Sequence, residues 1–197
     1  MTIDLGFVSR TFSSLTSGGV GVAHHGGGSY MFKTSPQDDG ATDRAYGAQM
    51  RITSFVGTHF YMGGDLEIAD VEAAATSIAL LPGPTPEMPN ISQSGAFLLG
   101  GDVMLGYAGR ATDRLELAAE MAAGVRTVGY SFDSTLGSDQ SSSRVWGSSG
   151  MVEARARATY WVSPTMNVGA FVGHGFTDDG SVLGIAVGIA STPFGRG

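Results

Sequence analysis

The feature that most constrains this chain is an alternation of charged and apolar side chains between Arg114 and Arg126. Even positions carry every charge of the segment, and odd positions carry all of its large apolar side chains. The odd positions read Leu115, Leu117, Ala119, Met121, Ala123 and Val125. Successive side chains of a strand point to opposite faces, whereas a helix, with 3.6 residues per turn, would mix the two sets. The segment is therefore predicted to be a strand with one charged and one apolar face.

Seven further segments show the same alternation, three of them more weakly. The predicted strands span about 2–12, 43–56, 59–70, 95–108, 113–130, 148–161, 165–176 and 181–192. Globular strands average roughly five or six residues, and a tilted strand needs about 9–11 residues to cross a bilayer. The lengths therefore favour membrane-spanning strands.

The connections between the predicted strands are long or short in near alternation. The long ones are 13–42, 71–94 and 131–147, and they are rich in Gly, Ser, Thr and Pro. The short ones are 57–58, 109–112, 162–164 and, where a long loop was due, 177–180. Outer-membrane barrels have short turns at one rim and longer loops at the other. Residues 72–81 are predicted to form a short helix, and 19–32 are a candidate extension of the first hairpin beyond the membrane.

Composition excludes several classes of protein. The net charge is −7 and no basic run exists, which argues against a nucleic-acid partner. The absence of cysteine excludes disulfides and thiolate metal sites. No apolar run reaches the length of a transmembrane helix. The stretch from Met1 to Leu5 lacks the features of a signal peptide, so for an exported protein we expect the signal to have been removed.

The charged faces are predicted to point into the barrel and the apolar faces into lipid. The apolar faces carry no charge over whole strands, as lipid contact requires. The charged faces carry both signs between small Gly and Ala residues, so the charges are able to pair in a crowded interior. Because eight strands enclose a space that side chains fill, we expect a plugged lumen. The predicted interior network is Arg51, Asp65, Glu67, Asp102, Arg114, Glu116, Glu120, Arg126, Glu153, Arg155 and Arg157.

Aromatic residues near the strand ends predict two belts at the membrane interfaces, where such rings prefer to lie. With the amino terminus on the periplasmic side, the odd strands run outward. The outer belt is then Phe7, Tyr46, Phe97 and Phe176, and the inner belt is Phe60, Tyr107 and Tyr160.

In patterning, the whole chain resembles the small eight-stranded outer-membrane barrels, the group that contains the OmpA transmembrane domain and OmpX. The resemblance implies an all-β, antiparallel up-and-down transmembrane barrel that forms a single domain, 1–197, in the outer membrane of a Gram-negative bacterium. Many such barrels end in an aromatic residue. The candidate here is Phe194, although its parity is opposite to that of Leu183 unless Pro193 resets the register.

His174 is the weak candidate for catalysis. It is predicted to face lipid near the outer rim, with Asp178, Asp179 and Ser181 close in sequence. Some small outer-membrane barrels are lipid A deacylases or acyltransferases that use a His with a Ser and an acidic residue near this rim. The His-x-Ser spacing of the deacylases is missing, because Phe176 stands two residues after His174.

Two other candidate sites favour structural interpretations. The adjacent His24 and His25 are predicted to be a solvated loop pair, because no further His lies nearby to complete a metal site. The carboxylate pairs of the interior network have arginines available on neighbouring strands, so ion pairing is favoured over acid–base chemistry.

The sequence therefore predicts a non-enzymatic barrel without cofactor or metal. Its partners would be the lipid bilayer and an unknown molecule that contacts the long loops. The first alternative is a lipid-modifying enzyme around His174. The second is a soluble lipocalin-like barrel with the two faces exchanged, which would carry an apolar ligand in its lumen.

Overall fold

The computed structural model describes residues 1–15, 19–26, 28–38, 40–82 and 87–191. Its regular secondary structure consists of strands, with the following bounds: β1 (Thr2–Ser13), β2 (Gly19–His25), β3 (Gly28–Pro36), β4 (Thr42–Phe55), β5 (Phe60–Glu72), β6 (Thr76–Leu80), β7 (Asn90–Arg110), β8 (Leu115–Leu136), β9 (Asp139–Trp161), β10 (Met166–Gly175) and β11 (Ser181–Ala190). Among the described residues, no helix is long and apolar enough to cross a membrane.

Eight of these strands close into an antiparallel barrel in the order β1-β11-β10-β9-β8-β7-β5-β4. The barrel closes because β1 pairs with β4 along one edge and with β11 along the other. Every strand of the barrel therefore has a hydrogen-bonded neighbour on both sides, which removes the free edges of an open sheet. The predicted all-β fold and eight-stranded antiparallel barrel are confirmed.

The longest hairpin is formed by β8 and β9, and it corrects the prediction of a loop at 131–147. The two strands pair without interruption from Leu115↔Tyr160 to Leu136↔Asp139. The turn between them contains Gly137, whose φ of 61° favours glycine. The Ser-rich composition suggested a loop. In the structure, inward and outward side chains continue to alternate in this segment, as the buried, inward-pointing Tyr130, Phe132 and Ser134 show.

The other two predicted long loops contain a second sheet. Its three strands are ordered β2-β3-β6, so 13–42 holds a hairpin and 71–94 holds a strand. The short helix predicted over 72–81 is wrong, because β6 pairs with β3 from Phe32↔Leu80 to Pro36↔Thr76. Ile78 and Leu80 pack against the apolar cluster beneath them, and this packing outweighs the helical preference of the preceding alanines. We call the β2-β3-β6 sheet the cap.

An apolar cluster joins the cap to the outer part of the barrel. It combines Phe32 from the cap with buried residues of the barrel strands. Its members are Phe12, Phe32, Ala45, Ala69, Val71, Leu98, Val128, Tyr130, Phe132 and Val145, with Ile78 and Leu80 of the cap packed against them. The cap therefore lies over the outer mouth of the barrel as a packed layer.

The opposite rim carries the short turns 56–59, 111–114 and 162–165. Both ends of the barrel sheet meet there, since the amino group of Met1 donates to Ser191 Oγ at 3.2 Å. Phe194, the candidate terminal aromatic, lies outside the described residues.

Candidate functional site: the barrel lumen and its cap

The lumen is lined by charged side chains that the alternation of the strands turns inward. Each of those that follow is at most 9% exposed: Arg51, Asp65, Glu67, Asp102, Glu120, Arg126, Glu153, Arg155 and Arg157. The predicted interior network is thus placed in the lumen apart from Arg114 and Glu116.

Arg114 corrects the prediction, because it is exposed in the inner-rim turn. It has the parity of the interior residues, but β8 begins only at Leu115, and alternation sets no direction beyond the end of a strand. Glu116 is half-buried at the same rim, opposite Arg110 across β7 and β8.

Sequence reasoning missed several luminal side chains, among them Asp4, Arg10, Tyr61 and Asp178. Asp4 and Arg10 lie inside on β1, and their shared parity was a usable signal in a segment whose alternation is weak. Tyr61 is buried on β5, four residues before Asp65 on the same face. Asp178 comes from the outer turn and reaches Arg126, and no periodic signal marks a turn residue that folds inward.

The larger group of ion pairs occupies the middle and outer part of the lumen, and we call it the outer network. Three arginines and five carboxylates are connected in it. Arg10 contacts Glu67 (2.9 Å) and Glu153; Arg126 contacts Glu153 (2.8 Å) and Asp178; Arg155 contacts Asp65, Asp102 (2.7 Å) and Glu153 (2.8 Å).

The second group, which we call the inner network, lies nearer the inner rim and balances its charges. Arg51 donates to both oxygens of Glu120, at 2.5 and 2.8 Å, and Tyr61 donates to the same carboxylate at 2.5 Å. Arg157 Nη2 donates to Asp4 at 2.7 Å, and Arg51 Nε lies 3.9 Å from that carboxylate. Two guanidinium groups thus face two carboxylates.

Buried polar contacts hold the chain segments that lead from the barrel into the cap. Asp43, which is fully buried, accepts from Tyr130 Oη at 2.5 Å and from the backbone N–H of Ala74 at 2.8 Å. Tyr130 Oη in turn accepts from the backbone N–H of Leu15 at 2.9 Å. These contacts tie the chain segments at the outer mouth to β4 and β8.

The His24–His25 pair divides between two environments. His24 is exposed as predicted, but His25 is buried, which corrects the prediction of a solvated pair. His25 Nε2 lies 2.7 Å from Ser134 Oγ, and its Nδ1 lies 3.5 Å from Asp139. The backbone N–H of Gly26 donates to Asp139 at 2.7 Å and holds the pKa of that carboxyl below its usual range. The tip of the cap hairpin therefore docks on the tip of the β8–β9 hairpin.

The outward face of the barrel is apolar between two rows of aromatic residues. On β7, Val103 is 70% exposed and Leu105 is 64% exposed. Phe60 and Tyr107 contact edge to face at the inner rim, with ring centroids 5.2 Å apart, and Phe97 and Trp146 do so nearer the outer rim, at 5.1 Å. In water such a surface would be strongly unfavourable, whereas lipid solvates it.

The remaining aromatic residues of the predicted belts also face outward. Tyr160 lies near the inner end of β9 and Phe176 in the outer turn, and Tyr46 lies in the outer half of β4. Phe7 corrects the prediction, because it pairs with Ile185 and Ala48 halfway along β1 rather than at the rim. Phe7 is also at the midpoint of the predicted strand 2–12, so its position along the strand already argued against a place in the belt.

The barrel has charged side chains inside and apolar side chains outside. Its outer surface is therefore suited to lipid and not to water. The chain is an outer-membrane β-barrel. The soluble lipocalin-like alternative is wrong, because it requires an apolar lumen, and this lumen holds residues such as Arg155 and Glu153.

Comparison with known proteins finds similar solved structures. The structure of Ail, the attachment invasion locus protein of Yersinia pestis, is 13% identical with a TM-score of 0.49 and covers 95% of this chain and 93% of that chain. Neisserial surface protein A is 12% identical with a TM-score of 0.44, covering 95% and 94%. An outer membrane channel from Pseudomonas putida F1 is 8% identical with a TM-score of 0.31, covering 95% and 94%. No protein-family model and no curated protein matches the sequence.

His174 lies on the lipid-facing side of β10 near the outer rim, and its side chain is 56% exposed. Ser181 is its direct partner across β10 and β11, and Asp179 Oδ1 lies 3.7 Å from His174 Nε2. The hydroxyl of Ser181, however, is hydrogen bonded to Thr11 Oγ1 at 2.9 Å. The three residue types are thus close together without the continuous hydrogen-bond chain of a catalytic triad.

Proposed function

We propose that this protein is a non-enzymatic outer-membrane barrel with a sealed lumen, which presents its cap to a partner outside the cell. The observation that carries the proposal is the cap itself, a sheet packed through an apolar cluster onto the outer mouth. A rigid sheet held over a barrel is a platform for recognition, since loops and extensions on a rigid scaffold commonly carry function.

The luminal ion pairs support the sealed state. The networks cross the lumen from β9 to β5, β7 and β1, as the contacts of Arg155 and Arg10 illustrate. Opening a path would require several buried pairs to separate, and separated buried charges are costly. Among the described residues, the cap lies above them at the outer mouth, and this position also supports a lumen closed to polar solutes.

The charge of the outer surface indicates the chemistry of the partner. Among the described residues, seven acidic residues are exposed on the cap, the outer strand ends and the outer turn: Asp38, Asp70, Glu72, Glu87, Asp133, Asp139 and Asp179. The exposed basic residues there are Lys33, Arg44 and Arg144. The structure of Ail is also known in complex with the heparin analogue sucrose octasulfate. The acidic excess on this chain favours a cationic partner instead of such a polyanion.

The proposal is tested with the full chain in lipid. In planar bilayers the protein is expected to give no stepwise conductance, and well-resolved channel openings would overturn the sealed lumen. Embedded in nanodiscs, it is expected to bind oligolysine in a salt-dependent way and to ignore heparin. Heparin binding without oligolysine binding would overturn the assignment of partner chemistry.

A second candidate function, lipid modification around His174, is favoured by one observation. An open, largely apolar depression of about 1020 Å³ crosses the outer wall from β5 over β7, β8 and β9 to β10, and its lining includes His174. Such a depression is able to hold an acyl chain with its ester near the His174–Ser181 pair. Incubation with labelled lipid A distinguishes the candidates. Release of fatty acid that is lost in His174→Ala would replace the non-enzymatic proposal, which predicts unchanged lipid.

A further inference from the structure

The two luminal networks differ in their charge balance. The inner network has two carboxylates for two guanidinium groups, whereas the outer network has five carboxylates for three. If every group were ionised, the outer network would carry two uncompensated negative charges. Burying unpaired charge is costly, and a buried group commonly becomes neutral instead.

One of these two excess charges lies where Asp65 and Asp102 face each other. They are direct partners across β5 and β7, so their Cβ atoms are about 4.5–5.5 Å apart. Arg155 donates a hydrogen bond to each carboxylate, from Nη1 to Asp65 and from Nη2 to Asp102. The next position in the row is Gly124, which brings no side chain to Asp102. One guanidinium thus serves two adjacent carboxylates, and it also contacts Glu153.

The second oxygen of each carboxylate has no partner. Asp65 Oδ1 and Asp102 Oδ1 are buried without a hydrogen bond. The two side chains are only 3% and 2% exposed, respectively. Both residues line a small cavity of about 10 Å³, which is about the minimum for one water molecule.

The surrounding cations are engaged elsewhere. Arg51 is the other cross-strand neighbour of Asp65, but its guanidinium donates to Glu120. Arg126 lines the cavity and forms its ion pairs with Glu153 and Asp178.

The remaining neighbours do not supply the missing charge either. Arg10 of β1 is paired with Glu67 and Glu153. β10 contributes the ring of Phe171 beneath Arg155. Within the part of the chain that the structure describes, no group of three or more ligand residues is arranged to hold a metal ion.

From this arrangement we propose that Asp65 and Asp102 form a proton-binding site, in which the native barrel holds one proton on the pair. The proton neutralises one of the two adjacent carboxylates, and Arg155 compensates the other. The unfolded chain has separated, solvated carboxylates, which ionise at about pH 4 and therefore hold no proton at neutral pH. Folding therefore takes up a proton at this site.

The consequence is measurable as a pH dependence of stability. Because the folded barrel binds the extra proton, its stability falls as pH rises above the range in which free carboxylates ionise. Asp102→Asn and Asp65→Asn each supply a permanently neutral side chain and should remove this fall. The matched control is Glu120→Gln, which takes the charged partner from Arg51 in the balanced inner network.

The test is urea unfolding of the full chain in detergent micelles between about pH 5 and about pH 9. The urea midpoint of the wild type minus the urea midpoint of Asp102→Asn should fall as pH rises. At the alkaline end, the midpoint of Asp102→Asn should equal or exceed that of the wild type. Glu120→Gln should lower the midpoint at every pH. Infrared spectra should show a protonated-carboxyl band that is lost in each single Asn variant and kept in Glu120→Gln.

Opposite results overturn the proposal. A band that is absent from the wild type, or a midpoint difference that rises with pH, would show that both carboxylates are ionised. Stabilisation by sodium over choline at constant ionic strength would assign the missing charge to a metal cation. If neither single Asn variant folds, the proposal also fails, because it requires the barrel to accept a neutral side chain at this pair.

Discussion

Arg155 donates two hydrogen bonds to Glu153, two residues earlier on the same face of β9, through Nε at 3.0 Å and Nη2 at 2.8 Å. This contact fixes the guanidinium while it reaches across the lumen to Asp65 and Asp102. A single side chain of β9 thereby joins the two sides of the barrel, so the lumen is filled by bonded groups and not only by bulk.

Removing that guanidinium should destabilise the barrel. Arg155→Met leaves Glu153 with fewer partners and leaves Asp65 and Asp102 without their cation, and breaking a buried pair costs about 3–5 kcal/mol. Urea unfolding in micelles, followed by tryptophan fluorescence, measures the loss. Arg114→Met, at the exposed turn, is the matched control and should change stability by less than about 0.5 kcal/mol. Equal effects of the two variants would contradict the luminal role of Arg155.

The cap should loosen when its apolar cluster is cut. Phe32 is fully buried and contacts Phe132 edge to face, with centroids 5.3 Å apart. Truncation of such a ring costs about 3–5 kcal/mol, and the loss should be confined to the cap. Limited proteolysis of Phe32→Ala in nanodiscs should cleave within 19–36 while the barrel keeps its heat-dependent gel shift. Met31→Ala, on the 47% exposed side of the same strand, should stay resistant, and cleavage of both variants alike would argue against a packed cap.

A charge placed in the apolar belt should oppose membrane insertion. Val103 is 70% exposed near the middle of the outward face of β7. Arginine at the bilayer midplane of a barrel costs about 2–4 kcal/mol, which folding into vesicles along a urea gradient detects. Ser142→Arg, on the part of β9 beyond the outer aromatic row, serves as the control and should fold like the wild type. A Val103→Arg barrel as stable as the control would show that this face does not contact lipid.

Acid should release the tip of the cap from the β8–β9 hairpin. The N–H of Gly26 lowers the pKa of Asp139 in the folded protein, so the stabilisation is present above the unfolded value of about 4 and is lost as pH falls through the lower folded value. The amide resonance of Gly26 should therefore titrate below about pH 4. Asp139→Asn should abolish that step and Asp133→Asn should keep it. A Gly26 amide that does not respond to acid would remove this contact from the account.

The barrel was predictable because its strands repeat one physical rule. The alternation of charged and apolar side chains depends only on neighbours along the chain and on the solvent that each face meets. The inward direction of residues such as Glu153 and Arg157 can therefore be predicted from the sequence. The closing contact of β1 with β4 and β11 also follows from the number of strands. Arg10 was not predicted to be luminal because the alternation in β1 is weak, although Arg10 shares its parity with the luminal Asp4.

The cap, the outer end of the β8–β9 hairpin and the outer turn were not predictable in the same way. The sequence of 131–147 is Ser-rich, and the pairing of its two halves, rather than its composition, shows that it is a hairpin. Thr76–Leu80 follows three alanines, and it is a strand because β3 lies beside it. Asp178 enters the lumen from a turn, and His25 is buried by residues more than a hundred positions away. These features depend on tertiary contacts, which local patterns do not encode.

The central claim, that the charged face lies inside and the apolar face in lipid, is tested most directly by site-directed spin labelling. The chain contains no cysteine, so a single cysteine substitution introduces one label at a chosen position. Val103 places the label on the outward face, and Ala122 places it on the buried inward face. In bilayers, the label at Val103 should be accessible to oxygen and shielded from a water-soluble nickel reagent. The label at Ala122 should be immobile and shielded from oxygen. A label at Val103 that is open to the nickel reagent, with a mobile, oxygen-accessible label at Ala122, would contradict the account.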